Sequence, residues 1–427
     1  MGLKERDQQY VWHPFTQAQI APTPLPIVKA EGVWLEDETG NRYLDANSSW
    51  WTILHGHCHP HIVKEISKQL AELDHVIFAG ATHPKGVEIA ERIVKALPDH
   101  FAKAFFSDNG STATEVAIKM VYQYWHNKGT PKKKFVAIEG AYHGDTFGAM
   151  SVGERDYFNR PFEHLFFDVD YLPFPTETSI DEVLMKAEEI FSSGEVAGFI
   201  FEPLVQGAAG MRIYNASFLD QLLKIAKQYD IITVADEVMT GFYRTGNLFA
   251  IEQLKEKVDI ICLSKGLTGG VMAMALTVTT QKMYDSFLSD EVAKALLHGH
   301  SFTGNPIACA AACASLDILE KPQTLQRIKT ISEKNKQFCE QLKDHPAFKS
   351  VKSCGTILSL EVKGDEDSSY FSSLREKAYR YFLENEILLR PLGNVIFVNP
   401  PYGILNDELE MIYRHILIFV EQHKDLD

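Results

Sequence analysis

A lysine lies where a short apolar strand is expected to end. The segment DIICLSKGLTGG places Lys265 after that strand and before a glycine-rich turn. Burying an ammonium group is costly unless the group is paired or used. A desolvated lysine loses its proton readily and can attack a carbonyl to form an imine. A surface lysine at a strand end is the alternative, and Lys265 alone does not decide between the two.

An acid pair follows the preceding strand. In IITVADEVMTGF, Asp236 and Glu237 come directly after a run of apolar and β-branched residues. A carboxylate in that position can keep a heteroaromatic ring nitrogen protonated, which makes the ring a stronger electron sink. A metal site or a plain strand-capping acid pair would look the same, so these alternatives stay open.

The start of a predicted helix supplies a third candidate. SDNGSTATEVAIKM places Gly110, Ser111 and Thr112 where backbone N–H groups, hydroxyls and the helix dipole suit a phosphate. By itself such a segment is more often an ordinary N-cap. The three features together, in this order, are much less frequent by chance, and they describe the site of one cofactor.

Alternating helices and strands position these residues. Segments such as HIVKEISKQLAEL and ATEVAIKMVYQYWHNKG predict amphipathic helices, and KAFFS, KFVAIEG, GFIFEP, IITVADE and DIICLSK predict strands. Near-continuous apolar strands between helices indicate an α/β fold with a mostly parallel sheet covered on both faces. Ligands of such sheets bind outside the carboxyl ends of the strands, which is where the lysine and the acid pair lie.

Both ends of the chain differ from this pattern. The segment IVKAEGVWLEDETGNRYLD predicts a strand pair with its turn at Thr39-Gly40-Asn41, and charge-laced helices flank short strands after about residue 315. We therefore expect residues 59–315 to form a large α/β domain. Residues 1–58 and 316–427 are expected to contribute to a smaller α+β domain.

Composition excludes several classes of protein. The chain has 427 residues, more than one core usually organises, and a formal net charge of −15, which argues against non-specific binding to nucleic acid or anionic membranes. The N-terminus has no secretory-signal pattern, and the apolar runs are too short for a membrane span. Six cysteines, none in CxxC spacing, suit a reducing compartment. These features predict a cytoplasmic protein that binds neither nucleic acid nor membrane.

The motifs resemble a known family. ADEVMTGFYRTGNLFA followed by CLSKGLTGG closely resembles the signature of the class III, fold type I pyridoxal-phosphate aminotransferases. SSWW, HGHCHP, AYHGDTFGAMS, FEPLVQGAAGM, HGHSFTGNP and LRPLGNVIFVNPPY extend the resemblance along nearly the whole chain. They resemble the subfamily that aminates 8-amino-7-oxononanoate to 7,8-diaminononanoate in biotin synthesis. The resemblance implies a homodimer with shared active sites and small-molecule substrates.

The resemblance also implies a role for particular residues toward pyridoxal phosphate. Lys265 would be the Schiff-base lysine and proton shuttle, and Asp236 would pair with the pyridine nitrogen. Val238 and Tyr142 would pack on the two faces of the cofactor ring, and Gly110 and Ser111 would hold its phosphate. His300 and Ser301 of the partner subunit would complete the phosphate site. Gln206 is a weaker candidate, near the phenolic oxygen.

The substrate side of the site is implied in the same way. Trp50 and Trp51 would form apolar walls for a long aliphatic keto acid, and Arg390 would bind its carboxylate through a bidentate guanidinium. Arg244 and Asp145 would form the polar part of the site, although Arg244 in a structural ion pair is the alternative. Further substrate contacts are implied at Tyr142, Lys265, Gly299, Phe15 and Phe397.

Three positions depart from the family pattern. Phe15 and Phe397 stand where members that use S-adenosylmethionine as amino donor carry tyrosine. Both rings remain but both hydroxyls are lost, so stacking survives and a hydrogen bond does not. S-adenosylmethionine remains the expected donor, with lysine as the alternative. His300-Ser301 replaces a common Pro-Thr; the hydroxyl is kept, and His300 either adds a donor or fills the space of the proline.

Other functions fit the sequence less well. The tract from His55 to His61 has the residue types of a zinc site, but it resembles the family's turn before a helix, where no metal is expected. An NAD-dependent oxidoreductase would need a GxGxxG after an early strand, and the chain has none there. A non-catalytic binding protein would not need both Asp236 and Lys265. Another class III enzyme acting on a different ω-amino substrate remains the nearest alternative.

Overall fold

The computed structural model describes residues 2–364 and 373–422. The strands are β1 Ile27–Glu31, β2 Trp34–Asp37, β3 Arg42–Asp45, β4 Phe101–Ser107, β5 Lys134–Ile138, β6 Val169–Leu172, β7 Val196–Phe201, β8 Val205–Gln206, β9 Arg212–Ile213, β10 Ile232–Asp236, β11 Ile260–Leu263, β12 Ala275–Thr280, β13 Phe348–Cys354, β14 Ile357–Val362, β15 Ile387–Leu388 and β16 Val395–Val398.

Helices cover the sheets and connect the strands. They are α1 Leu3–Tyr10, α2 Ser48–Trp51, α3 Pro60–Glu72, α4 Pro84–Ala96, α5 Gly110–Asn127, α6 Phe147–Val152, α7 Ile180–Ser192, α8 Ala216–Gln228, α9 Gln281–Asp285, α10 Pro306–Leu319, α11 Pro322–Leu342, α12 Ser373–Glu384 and α13 Asn406–Gln422. No helix in the described ranges is long and apolar enough to cross a membrane.

A seven-stranded sheet forms the centre of the fold, in the order β4-β12-β11-β10-β7-β5-β6. The neighbours of β10 and of β5 are parallel to them, whereas β12 is antiparallel to both β11 and β4. Every residue of β7, β10, β11 and β12 is buried, as expected for strands covered on both faces. The predicted mostly parallel α/β sheet is confirmed.

The direction of the strands brings the site together. Because β4 and β11 both run antiparallel to β12, they run parallel to each other and to β10. The carboxyl ends of β4, β5, β7, β10 and β11 consequently meet at one edge of the sheet. The residues that follow these strands share one cleft there.

The alanine-rich helix α10 lies in the interior. All but two of its residues are buried, and Cys309 and Cys313 are nearly inaccessible on it. Small side chains let α10 approach α3 and α4 closely, because no bulky group holds the backbones apart. The two cysteines, four residues apart, are therefore small buried groups on one helix face.

The two ends of the chain share a second sheet, in the order β1-β2-β3-β15. β1, β2 and β3 form an antiparallel meander, with Gly32 at the first turn and the expected turn near Gly40 at the second. The expected strand pair is therefore three strands. β15 adds in parallel, with Ile387 opposite Leu44. The strands β13, β14 and β16 form a separate antiparallel sheet.

Candidate active site

A cleft of about 350 Å³ opens at the carboxyl edge of the central sheet. It is bounded by the turns after β4, β5, β10 and β11. Among its walls are seven residues that sequence reasoning singled out: Trp51, Gly110, Ser111, Tyr142, Asp236, Val238 and Lys265. The cleft therefore brings together the residues that the sequence predicts to take part in the reaction.

Lys265 begins a short 3-10 turn immediately after β11. Its Nζ lies 5.1 Å from the ring centroid of Trp51. Burial lowers the pKa of the ammonium group, and the negative charges of Asp236 and Glu202 oppose that shift. The lysine thus loses its proton more easily than an exposed one would, as imine formation requires.

Asp236, the last residue of β10, is held by a histidine that sequence reasoning missed. His143 Nδ1 lies 2.7 Å from Asp236 Oδ2, and Val238 N donates to Asp236 Oδ1 at 3.0 Å. Both side chains are buried, and His143 Nε2 has no partner in the described structure. The only sequence signal for His143 was its position next to Tyr142 in AYHGD.

The start of α5 forms a cradle. The Asn109 side chain caps the helix by accepting from Thr112 N at 3.0 Å, which leaves the earlier N–H groups for another acceptor. A Cβ on Gly110 would lie 2.7 Å from Val238 Cγ1. Gly144 has a φ of +122°, and a Cβ there would overlap Ser111 Oγ. Both glycines therefore keep the backbone close around this end of the cleft.

Tyr142 is fixed from two sides. Its hydroxyl donates to Asp145 Oδ2 at 2.9 Å, and its backbone N–H donates to Glu202 Oε1 at 3.2 Å. Glu202 also accepts from Gly207 N at 2.9 Å, and burial raises its pKa to about 7. Sequence reasoning missed Glu202, whose only signal was an acid at the end of the strand in GFIFEP.

The turn α2 has a left-handed backbone. Ser48, Ser49, Trp50 and Trp51 have φ values of 49°, 45°, 69° and 69°. Left-handed geometry costs residues with a Cβ about 1–2 kcal/mol each and is normally confined to single residues. Four in succession persist only where the surroundings determine the conformation.

That turn presents the two tryptophans. Their rings stack with centroids 5.4 Å apart, and Trp51 meets Phe397 edge-on at 5.9 Å. Trp51 is buried in the cleft wall, whereas Trp50 is 39% exposed. The Arg390 guanidinium lies over Trp50, 5.5 Å from its centroid. An apolar wall therefore runs between Lys265 and Arg390.

Arg244, expected to form the polar part of the site with Asp145, does not line the cleft of its own chain. It is 1% exposed. Its Nη1 donates to Asn399 Oδ1 and Pro400 O, both at 2.9 Å, and its Nη2 donates to Ile53 O at 3.1 Å. All three acceptors are uncharged. Among the described residues, Arg244 therefore does not form the ion pair that was the alternative.

Several other expected site residues do not line the cleft of their own chain. Gln206 is buried, and its Nε2 donates to Glu139 O at 3.1 Å. Phe15 packs edge-on against Phe158 with 6.0 Å between the ring centroids. Asp145 is exposed and accepts from the Tyr142 hydroxyl, and Phe397 packs edge-on against Trp51. Three more residues lie in the loop before α10: Gly299, His300 and Ser301.

The histidine-rich tract is divided among separate partners. His55 Nε2 lies 2.9 Å from Ser315 Oγ, His57 Nε2 lies 3.0 Å from Asp45 Oδ2, and His61 Nε2 lies 2.8 Å from Asp317 Oδ2. Within the described ranges, no group of three or more histidine, cysteine, aspartate or glutamate side chains could hold a metal ion.

Comparison with known proteins assigns the family. Residues 15–418 match the family model "Aminotransferase class-III". The chain belongs to the class III aminotransferases. A protein of Synechococcus elongatus named adenosylmethionine-8-amino-7-oxononanoate aminotransferase is 42% identical to this aminotransferase, over 97% of this chain and 99% of its own.

Solved structures agree. The crystal structure of adenosylmethionine-8-amino-7-oxononanoate aminotransferase from Methanocaldococcus jannaschii superimposes with a TM-score of 0.93 at 35% identity, covering 98% of both chains. The omega transaminase of Pseudomonas jessenii in complex with PMP gives a TM-score of 0.92 at 26% identity, covering 99% of both chains. The predicted fold type I architecture is confirmed.

The cofactor of this aminotransferase is pyridoxal phosphate, and the cleft fits it. A half-buried lysine with a lowered pKa, a carboxylate oriented by a histidine and a capped helix start surround the cleft. They supply the three groups that the cofactor needs: an amine for its aldehyde, an acid for its ring nitrogen and N–H donors for its phosphate.

Proposed function

We propose that this aminotransferase converts 8-amino-7-oxononanoate to 7,8-diaminononanoate in biotin synthesis, with S-adenosylmethionine as amino donor. The observation that carries the proposal is the stacked tryptophan pair between Lys265 and Arg390. An aliphatic keto acid lies along such an apolar wall with its carboxylate at the guanidinium. The names of the relatives supply the particular substrate.

Pyridoxal phosphate, when bound, supplies an electron sink and carries the amino group between donor and acceptor. Lys265 Nζ takes the proton from the donor carbon and returns a proton to the acceptor carbon, because burial favours its neutral form. Asp236 keeps the ring nitrogen protonated, and His143 orients the Asp236 carboxylate. Tyr142, held by Glu202, and Val238 would contact the two faces of the cofactor ring.

The phosphate is proposed to bind at Gly110 and Ser111, with His300 and Ser301 of the partner subunit completing the site and Gly299 of the partner subunit reaching the substrate. The support for two chains is positional. None of Gly299, His300 and Ser301 lines the cleft of its own chain, and Phe302 of the same loop is exposed at 64%. The homodimer is therefore part of the proposal.

Mixing two inactive variants tests the shared sites. Lys265→Ala removes the lysine of one subunit, and Ser301→Asp sets a negative charge against the phosphate of the other subunit. A dimer that contains one of each has one site with both changes and one site with neither. We expect co-expression to restore activity, and dimers to be seen by sedimentation. No restoration would exclude sharing through Ser301.

The identity of the donor is tested directly. Holoenzyme is mixed with 8-amino-7-oxononanoate and either S-adenosylmethionine or lysine, and diaminononanoate is assayed. We expect product with S-adenosylmethionine. Phe397 is fully buried behind Trp51. Phenylalanine in place of tyrosine at this position therefore removes no polar group from the surface of the cleft. Product with lysine alone would assign the alternative donor.

Another class III activity is separated by spectra of the half-reaction. Each competent donor converts the absorbance of the bound aldehyde form of the cofactor to that of its amine form. A panel of ω-amino acids that all convert the holoenzyme, while S-adenosylmethionine does not, would replace the proposed reaction. Conversion by S-adenosylmethionine with little response to the panel supports it.

The proposed domains are residues 59–315 and a small domain built from residues 1–58 and 316–427. Support comes from the second sheet, in which β15 pairs with β3; residues 1, 365–372 and 423–427 lie outside the described structure. The proposed location is the cytoplasm, supported by six cysteines that are all free thiols, as expected in a reducing compartment.

A further inference from the structure

The left-handed turn Ser48–Trp51 is held by one buried carboxylate. Asp45 Oδ1 accepts from Ser49 N at 3.0 Å and from Asn47 N at 3.3 Å. Asp45 Oδ2 accepts from Ser49 Oγ at 2.8 Å and lies 3.0 Å from His57 Nε2. Asp45 is fully buried, so these contacts are made out of water, where hydrogen bonds to a charged group are strongest.

Asp45 is oriented by its strand and by His57. It ends β3, where β15 pairs beside it and fixes the backbone. His57 comes from the histidine-rich tract, and its backbone pairs with Gly32 in an isolated bridge. The carboxylate thus faces into the turn from a framework that does not include the turn itself.

The same turn is tied to the substrate side of the cleft. Ser48 Oγ donates to Asn399 O at 2.7 Å, and Asn47 Nδ2 donates to Phe397 O at 2.9 Å. Arg390 N donates to Asn47 Oδ1 at 2.6 Å. A change in the backbone angles of the turn would therefore move the two tryptophan rings relative to both Lys265 and Arg390.

We propose that Asp45, oriented by His57, is a positioning residue for substrate: it holds Ser49 left-handed and so keeps Trp50 and Trp51 stacked between Lys265 and Arg390. Neither side chain touches the reacting atoms. This role rests on the proposed function only in assigning the keto acid to the tryptophan wall. The geometry of the wall itself is independent of which substrate is used.

The test compares Asp45→Asn with a matched control, Asp37→Asn. Asp37 is another buried carboxylate of the same sheet that accepts several hydrogen bonds, but its donors are Thr39 and Asn41 of the β2–β3 turn and the Tyr43 hydroxyl of β3, none of them in the left-handed turn. Asp45→Asn is expected to raise the KM for 8-amino-7-oxononanoate about ten-fold and to change kcat less than three-fold. It should also weaken the circular-dichroism signal of the stacked indoles, and Trp50→Phe, which removes one indole, is expected to weaken it in the same way.

Ser49→Gly supplies a rescue, because glycine adopts positive φ without the steric cost of a side chain. We expect the double variant Asp45→Asn/Ser49→Gly to recover most of the KM and of the indole signal. A merely structural role for Asp45 would not respond in this way. Asp37→Asn should lower the unfolding temperature and leave both readouts at their wild-type values.

The outcomes separate the possible failures. If Asp45→Asn lowers stability but leaves KM and the indole signal unchanged, the proposal is wrong. If Asp45→Asn does not fold, His57→Ala keeps the carboxylate and should raise KM about three-fold; no change in either readout would then overturn the proposal. If wild-type holoenzyme makes no diaminononanoate, the proposed function fails, while the indole signal still decides the role of Asp45.

Discussion

At the scale of single residues, Lys265 concentrates the chemistry of the cleft. Lys265→Ala is expected to lower diaminononanoate formation by at least about 10³-fold, because the group that moves the proton is lost. The absorbance of bound cofactor should change to that of the free aldehyde. A matched Lys282→Ala, on the short helix α9, should change neither measurement. Retention of the wild-type absorbance by Lys265→Ala would contradict the assignment.

Arg244 illustrates a residue whose type suggests one role and whose surroundings indicate another. Its guanidinium donates to Asn399 Oδ1 and to two backbone carbonyls in the interior. Arg244→Met is expected to lower the free energy of unfolding by about 3 kcal/mol, because those acceptors lose their donors. Arg42→Met, at an exposed arginine over Trp34, serves as the control in denaturant titrations.

A substrate-binding role for Arg244 would give a different result. The KM for 8-amino-7-oxononanoate would then rise steeply in folded Arg244→Met, with little loss of stability. The sequence could not separate the two roles, because burial depends on segments such as 399–400 that are distant along the chain. The identity of Arg390 was equally visible in sequence, but its stacking over Trp50 was not.

At the scale of elements, the start of α5 packs against Val238 so closely that residue 110 has no room for a side chain. Gly110→Ala would bring a Cβ to 2.7 Å from Val238 Cγ1, so either the helix start or Val238 must shift. We expect about a ten-fold weaker retention of pyridoxal phosphate in dilution experiments, with near-normal helix content by circular dichroism. Gly364→Ala, where a Cβ meets nothing within 4 Å, is the control.

Elements with strong local signals were predicted well. The apolar runs before Asp236 and Lys265 form β10 and β11, because each is short, β-branched and followed by a turn. The strand β12 was not predicted: ALTVTT follows a glycine-rich turn, and no signal identified it as the antiparallel strand between β11 and β4. The left-handed turn was missed because Ser-Ser-Trp-Trp has no local preference for that conformation; tertiary contacts impose it.

At the scale of the whole molecule, buried acids make stability depend on pH. Burial raises the pKa of Glu237 to about 8, while two backbone N–H groups, from Ala250 and Ile251, oppose the shift. An unfolded glutamate has a pKa of about 4.3, so between these values the folded protein binds the extra proton. Stability should therefore fall as pH rises from about 4.5 to about 8.

The comparison of two variants isolates this effect. The unfolding temperature of Glu237→Gln should fall less than that of wild type between pH 5.5 and pH 8.5, by on the order of 3 °C. Glu38→Gln, at an exposed glutamate, should follow wild type. Parallel curves for wild type and Glu237→Gln would show that Glu237 is ionised throughout.

The pairing of β15 with β3 has a consequence for synthesis. Leu44 can pair with Ile387 only after nearly the whole chain has been synthesised. The sheet β1-β2-β3-β15, whose first strands are synthesised first, is therefore among the last to be completed. Ribosome-bound chains stopped before residue 380 are expected to lose their first fifty residues to protease while the central sheet resists. The N-terminal strands would then need protection from protease during translation. They come first in the chain but become stably folded after the central sheet.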